Sequence, residues 1–116
     1  MALSPKGGAA KVDVFFAVSD PTRRAILDRL REGELAVNEL AAGFDVTRPA
    51  ISKHLRTLRD ARLVRERRDG RRRVYALTAT PLAEVARWAE AYRAFWQVNL
   101  GALKRHVEAR QKGSDR

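Results

Sequence analysis

The stretch from Val46 to Arg59, VTRPAISKHLRTLR, constrains this chain more than any other. Thr47 is a helix-capping residue type, and Pro49 suits a first turn, where the missing N–H has no partner to lose. Ile51, Leu55 and Leu58 then follow at i, i+4 and i+7, one apolar stripe of a helix. Arg48, Ser52, Lys53, Arg56 and Arg59 fall on the other faces with cations and short hydrogen-bond donors. A helix of this kind anchors on a small core and projects its donors, and the major groove of DNA accepts such a probe. The stretch reads as a recognition helix over about residues 47–60.

Charge points the same way. The 116 residues carry 24 Lys and Arg against 14 Asp and Glu, a formal net charge of +10. Such an excess attracts polyanions, nucleic acid first and anionic membrane surfaces second. The length suits one domain with a modest core. With no cysteine in the chain, disulfides, thiolate metal ligands and thiol switches are all excluded. Residues 1–10, small and broken by glycine and proline, read as a disordered tail without the apolar run of a signal peptide or membrane span. Residues 113–116 read as a second tail, and the cytoplasm, with the nucleoid, is the expected compartment.

Between the tails, residues 11–112 read as a single domain. Val12 to Val18 is too apolar for water and too short to be stable unless it packs. Asp20 and Pro21 start a helix that Gly33 stops, with Ile26, Leu27 and Leu30 buried and Arg23, Arg24, Asp28 and Arg31 facing out. Leu35 to Val37 suggests a minor strand, and Asn38 to Ala42 a brief helix ended by Gly43. A short helix, a turn over residues 44–46 and a second helix make a helix-turn-helix.

After Asp60 the period changes. Two runs of β-formers within residues 63–77 flank Asp69-Gly70-Arg71, a hairpin signal because Asp-Gly tolerates positive φ. The hairpin carries Arg65, Arg67, Arg68, Arg71, Arg72 and Arg73 against Glu66 and Asp69. Such charge could protect a sheet edge. Following a donor-rich helix, it reads better as a wing that contacts phosphate or the minor groove. Thr80-Pro81 opens a last helix read to about residue 112. One of its apolar rows passes through Val85, Trp88, Tyr92 and Phe95; the other runs through Tyr92, Trp96, Leu100, Leu103 and Val107. Together they are wider than one contact needs. Either all of it packs on the chain's own core, or one row docks on a second copy, joined there by Val14, Phe15 and Phe16. The second is the preferred reading, since the aromatics would otherwise leave a large exposed apolar patch.

The ordered set SKHL, LRDARLV and DGRRRVY within residues 20–77 resembles the ArsR family of bacterial winged-helix repressors. The resemblance implies a mainly α fold with a small β-hairpin wing, dimerising through its first and last helices. It implies a homodimer on double-stranded DNA, with two recognition helices in successive major grooves. It also places Arg48, Ser52 and Lys53 at base-contacting positions, Thr47 and Arg56 near phosphates, and Arg71 and Arg72, with Arg68 close by, at the wing tip. His54 fits a packed residue as well as a contact. Metal-sensing members carry ELCVC before the helix-turn-helix; here the segment is Glu34-Leu35-Ala36-Val37-Asn38. His106, with Glu84, Glu90 and Glu108, lacks the histidine-rich spacing of the family's other metal sites. The expectation is therefore a metal-independent member with no cofactor.

Function then reduces to a sequence-specific repressor, autoregulatory or controlling adjacent genes, with a nonspecific architectural DNA-binding protein as the alternative. An enzyme is not expected: there is no cysteine, glycine-rich phosphate loop or histidine spaced with an acid or nucleophile. Membrane binding by the last helix is not expected either, because a folded dimer would bury its aromatics. A small-molecule effector stays open, since Trp88, Tyr92 and Trp96 suit a ligand pocket and a plain core equally.

Overall fold

A computed structural model describes residues 10–97. The chain forms two compact units, the first ending at Val85 and the second beginning at Ala86.

Three helices of the first unit begin at a residue whose side chain caps them. α1 (Val14–Ala17) starts at Asp13, whose carboxylate accepts from the Phe15 N–H at 2.7 Å. α2 (Pro21–Leu30) starts at Asp20, which accepts from the Arg23 N–H at 3.0 Å. That hydrogen bond, the largest cause, holds the Asp20 carboxyl below its ordinary pKa. The two-residue strand β1 (Leu35–Ala36) runs straight into α3 (Val37–Ala42), so Val37 starts a helix instead of ending the strand. α4 (Arg48–Asp60) begins at Thr47, whose Oγ1 accepts from the Ala50 N–H at 3.2 Å.

The end of α4 is equally defined. Arg62 takes a left-handed backbone, φ 63°. Its N–H donates to the Arg59 carbonyl and that of Leu63 to the Leu58 carbonyl, both at 2.9 Å. This is the Schellman pattern, completed by the buried pair Leu58 and Leu63. Ile51, Leu55 and Leu58 are fully buried, as the stripe in the sequence requires, and meet Ile26, Leu30 and Leu40 in one core.

β2 (Val64–Asp69) and β3 (Arg72–Leu77) form the hairpin. β3 is central in a three-stranded antiparallel sheet of order β1-β3-β2, with Leu35 opposite Tyr75 and Asp69 opposite Arg72. The tight turn is therefore Gly70-Arg71, one residue later than the Asp-Gly dipeptide suggests. Gly70, at φ 64°, takes the first central position, as in a type II′ turn.

α5 (Leu82–Glu90) starts in the first unit, where Leu82 and Val85 pack against the core. The second unit opens with its last turns. The uninterrupted helix expected over about 81–112 breaks at residues 91–92. There the N–H groups of Ala91 and Tyr92 donate to the carbonyls of Trp88 and Ala89, three residues back, and helix resumes over residues 93–97. Both tails, apart from Ala10, and the remainder of the expected helix lie outside the described residues. Among those described, no helix is long and apolar enough to cross a membrane.

Candidate nucleic-acid interface

α4 sorts its side chains by chemistry. While its apolar stripe is buried, Thr47, Arg48, Ser52, Lys53 and Arg56 are exposed. Thr47 accepts a hydrogen bond as the helix cap, which leaves its own hydroxyl proton free to donate outward. Neither Arg48, Lys53 nor Arg56 has an acidic partner among the described residues.

The wing supplies a second row of cations, and these differ in their engagement. Arg68 and Arg71 are exposed without an acidic partner among the described residues. Arg67 reaches Glu34 at 2.7 Å, and the guanidinium holds the Glu34 carboxyl below its ordinary pKa. Arg72 donates through Nη2 to Oε1 of Glu39 at 2.7 Å; the same oxygen accepts from the Ala36 N–H at 2.8 Å. Between the wing and the starts of α3 and α4 lies a cleft of about 260 Å³, lined by Arg48, Arg71, Arg72 and Arg73 together with the run from Ala36 to Glu39. Helix and wing cations thus share one concave surface, from which Ser52, Lys53, Arg56 and Arg68 stand apart.

Glu66 ties the base of the wing to the end of α4. It accepts from Arg59 at 3.2 Å and from the Tyr75 hydroxyl at 2.9 Å, with Arg73 at 3.8 Å. Burial first, and this hydrogen bond second, push the Tyr75 hydroxyl above its ordinary pKa, so it remains a donor.

His54 turns from the exposed face of α4. It is half-buried, with Nδ1 3.4 Å from Nη1 of Arg23. Arg23 itself, read from the sequence as facing out, is buried. Its Nε donates to the Ala17 carbonyl at 2.7 Å and its Nη2 to the Phe16 carbonyl at 3.0 Å, while the guanidinium lies 5.1 Å from the Phe16 ring centre. The carbonyl end of α1 lies over that position and attracts a cation.

The residues read as a dimer surface separate by exposure. Val14 is buried in the chain's own core, which needs its methyl groups beneath α1 and leaves almost none of its surface exposed. Phe15 is partly buried against the same core, whereas Phe16 is exposed. In the second unit Trp88, Tyr92, Phe95 and Trp96 are exposed, with the Trp88 and Tyr92 rings 5.4 Å apart. Leu100 and Leu103 lie outside the described residues.

This arrangement has relatives. The profile of the family described as "Bacterial regulatory protein, arsR family" matches residues 20–66. The transcriptional repressor SdpR of Bacillus subtilis is 40% identical over 76 residues, which cover 66% of this chain and 84% of SdpR. The crystal structure of the ArsR family transcriptional regulator RHA00566 superposes with a TM-score of 0.64 at 38% identity, covering 73% of this chain and 93% of that one. This chain belongs to the arsR family. As an arsR-family protein it is a transcriptional regulator with a winged-helix DNA-binding fold, and not an enzyme. The regulator Rv2034 of Mycobacterium tuberculosis is 57% identical over 67 residues, 58% of this chain and 63% of that protein, so this match spans less than two thirds of its relative.

Three residues of this arsR-family regulator escape a reading of sequence alone: Arg23, Glu39 and Glu66. Glu39, three residues after Ala36, stands where an acid reaches back to a helix start, and that local signal was available. The pairings of Arg23 with α1 and of Glu66 with α4 depend on tertiary placement and carry no local signal.

Proposed function

We propose that this arsR-family regulator is a sequence-specific repressor that acts as a homodimer on an inverted-repeat operator, without thiolate metal sensing. One observation carries the reading: Arg48, at the start of α4, shares a cleft with the wing arginines Arg71, Arg72 and Arg73, while Ser52, Lys53 and Arg56 are exposed on the same helix. In this reading Arg48, Ser52 and Lys53 address base edges, with Arg48 and Lys53 suited to guanine O6 and N7. Thr47, Arg56, Arg68, Arg71 and Arg72 hold phosphates. His54, facing Arg23, supports α4 from behind instead of reading a base. Phe16 in the first unit and, separately, Trp88, Tyr92, Phe95 and Trp96 in the second are the proposed dimer contacts, supported by their exposure, which a lone chain would leave in water. Two-fold symmetry then spaces the recognition helices by roughly 34 Å, one turn of duplex.

Alanine at position 36 and asparagine at position 38, in place of the thiolates of metal-sensing members, support metal independence, as does the absence of cysteine from the chain. Selection of binding sites from random duplexes tests the proposal. Recovery of a self-complementary motif, bound by two chains per duplex, is expected. Recovery of unenriched sequence coated at a stoichiometry set by length identifies the architectural alternative.

A further inference from the structure

The cleft between wing and α4 holds four arginines and one carboxylate, Glu39. Glu39 is placed as an anion among cations: Oε1 takes the Arg72 guanidinium at 2.7 Å. Both partners keep about half their side chains exposed, 57% for Arg72 and 51% for Glu39, so the pair is weak and open to exchange. Asn38, exposed beside Glu39, adds an amide donor to the lining. A tetrahedral oxyanion entering this cleft meets guanidinium groups suited to bidentate binding and one resident anion of similar reach.

We infer that this cleft is a phosphate seat which the free protein fills with its own Glu39 carboxylate, and that binding exchanges the carboxylate for an incoming phosphate group. The inference rests on the proposed DNA-binding role and adds a regulation of the same surface. Glu39 is an internal competitor that keeps the wing's Arg72 neutralised until a phosphate arrives. Two sources share that chemistry, the backbone of DNA and a free phosphoanion. The exchange has a defined counter-ion balance. A phosphate settling on Arg72 sheds its condensed cation, but the displaced Glu39 acquires one, so the seat contributes nothing net to the salt dependence. Glutamine at position 39 removes the uptake and leaves the release.

The test compares wild type, Glu39→Gln and Glu34→Gln by anisotropy on a random-sequence duplex across a potassium chloride series. The amide oxygen introduced by Glu39→Gln can still accept from the Ala36 N–H, and an unchanged unfolding midpoint confirms the fold. Glu34 is the control: it too pairs with a wing arginine, its substitution changes net charge equally, and it does not line the cleft. Glu39→Gln is expected to tighten binding and to steepen the log–log salt slope by about 0.9, a further ~3.5-fold loss of affinity between 50 and 200 mM salt. Glu34→Gln should leave the slope nearly unchanged. A second arm titrates inorganic pyrophosphate into each protein without DNA. A selective gain for Glu39→Gln on the duplex alone assigns the seat to the backbone; a selective gain on pyrophosphate, with displacement of duplex, assigns it to a free phosphoanion. Equal behaviour of the two variants in both arms overturns the inference while DNA binding stands. Failure of wild type to bind any duplex overturns the DNA-binding reading instead.

Discussion

Arg23, only 9% exposed, commits two nitrogens to the carbonyls of Ala17 and Phe16. Replacement by methionine keeps much of the packing but strands the Ala17 carbonyl, while the Phe16 carbonyl keeps the N–H and hydroxyl of Ser19, at a cost of about 1–3 kcal/mol. Lysine, a point charge without the planar fork, should recover less than half of that loss. Urea unfolding of the two variants measures both. Arg62 offers the opposite case. Its left-handed backbone strains any residue with a Cβ, so Arg62→Gly should stabilise by about 1 kcal/mol. That is a rise of roughly 4–8 °C in a domain of this size. On the reading face, Lys53→Ala is expected to relax preference at one base pair per half-site, costing about 1–3 kcal/mol there. Arg72→Ala should weaken operator and random duplex alike. Equal losses on both duplexes for Lys53→Ala would remove that residue from base readout.

Among the elements, α4 was the most legible, because three short-range signals coincide on it: the Thr47 cap, Pro49 in the first turn and the stripe of Ile51, Leu55 and Leu58. The hairpin was legible as a hairpin but not in its turn. Asp69-Gly70 and Gly70-Arg71 both suit two-residue loops, and pairing across β3 decides between them by setting Asp69 opposite Arg72. Arg23 was misread because a helical wheel places it outward, and only the neighbouring end of α1 turns that position into a buried one. β3 also carries a pH dependence. The Tyr75 hydroxyl has a folded pKa above its ordinary value of 10.0, chiefly through burial and then through Glu66. An acid shifted upward stabilises the fold while protonated. Its contribution is therefore whole below pH 10 and is lost as pH rises through the folded pKa. Thermal unfolding across this alkaline range should show the decline in wild type and a weaker one in Tyr75→Phe.

For the whole molecule, the excess of cations makes the proposed DNA binding a salt-sensitive property. Neutralising about 6–10 phosphates per dimer would lower affinity by roughly 10³–10⁵ between 50 and 200 mM salt. Sedimentation at micromolar concentration should give a dimer. Phe16→Glu and Trp88→Glu, at two exposed aromatics, should shift it toward single chains without unfolding either unit. A single-chain species for wild type, persisting when duplex is added, would end the dimer reading. The sequence grouped Val14 with Phe16 as contacts to a second copy and did not separate them; Val14 is buried in the chain's own core, whereas Phe16 is exposed.

Glu66 joins Arg59 at the close of α4 to Tyr75 in the central strand, and the buried Leu58 and Leu63 seal the same junction, so helix and wing meet at a pinned corner. In the proposed complex, a corner held this way leaves part of the adjustment to the duplex. Base steps that no side chain touches then acquire a say in which sites are chosen through the ease with which they deform.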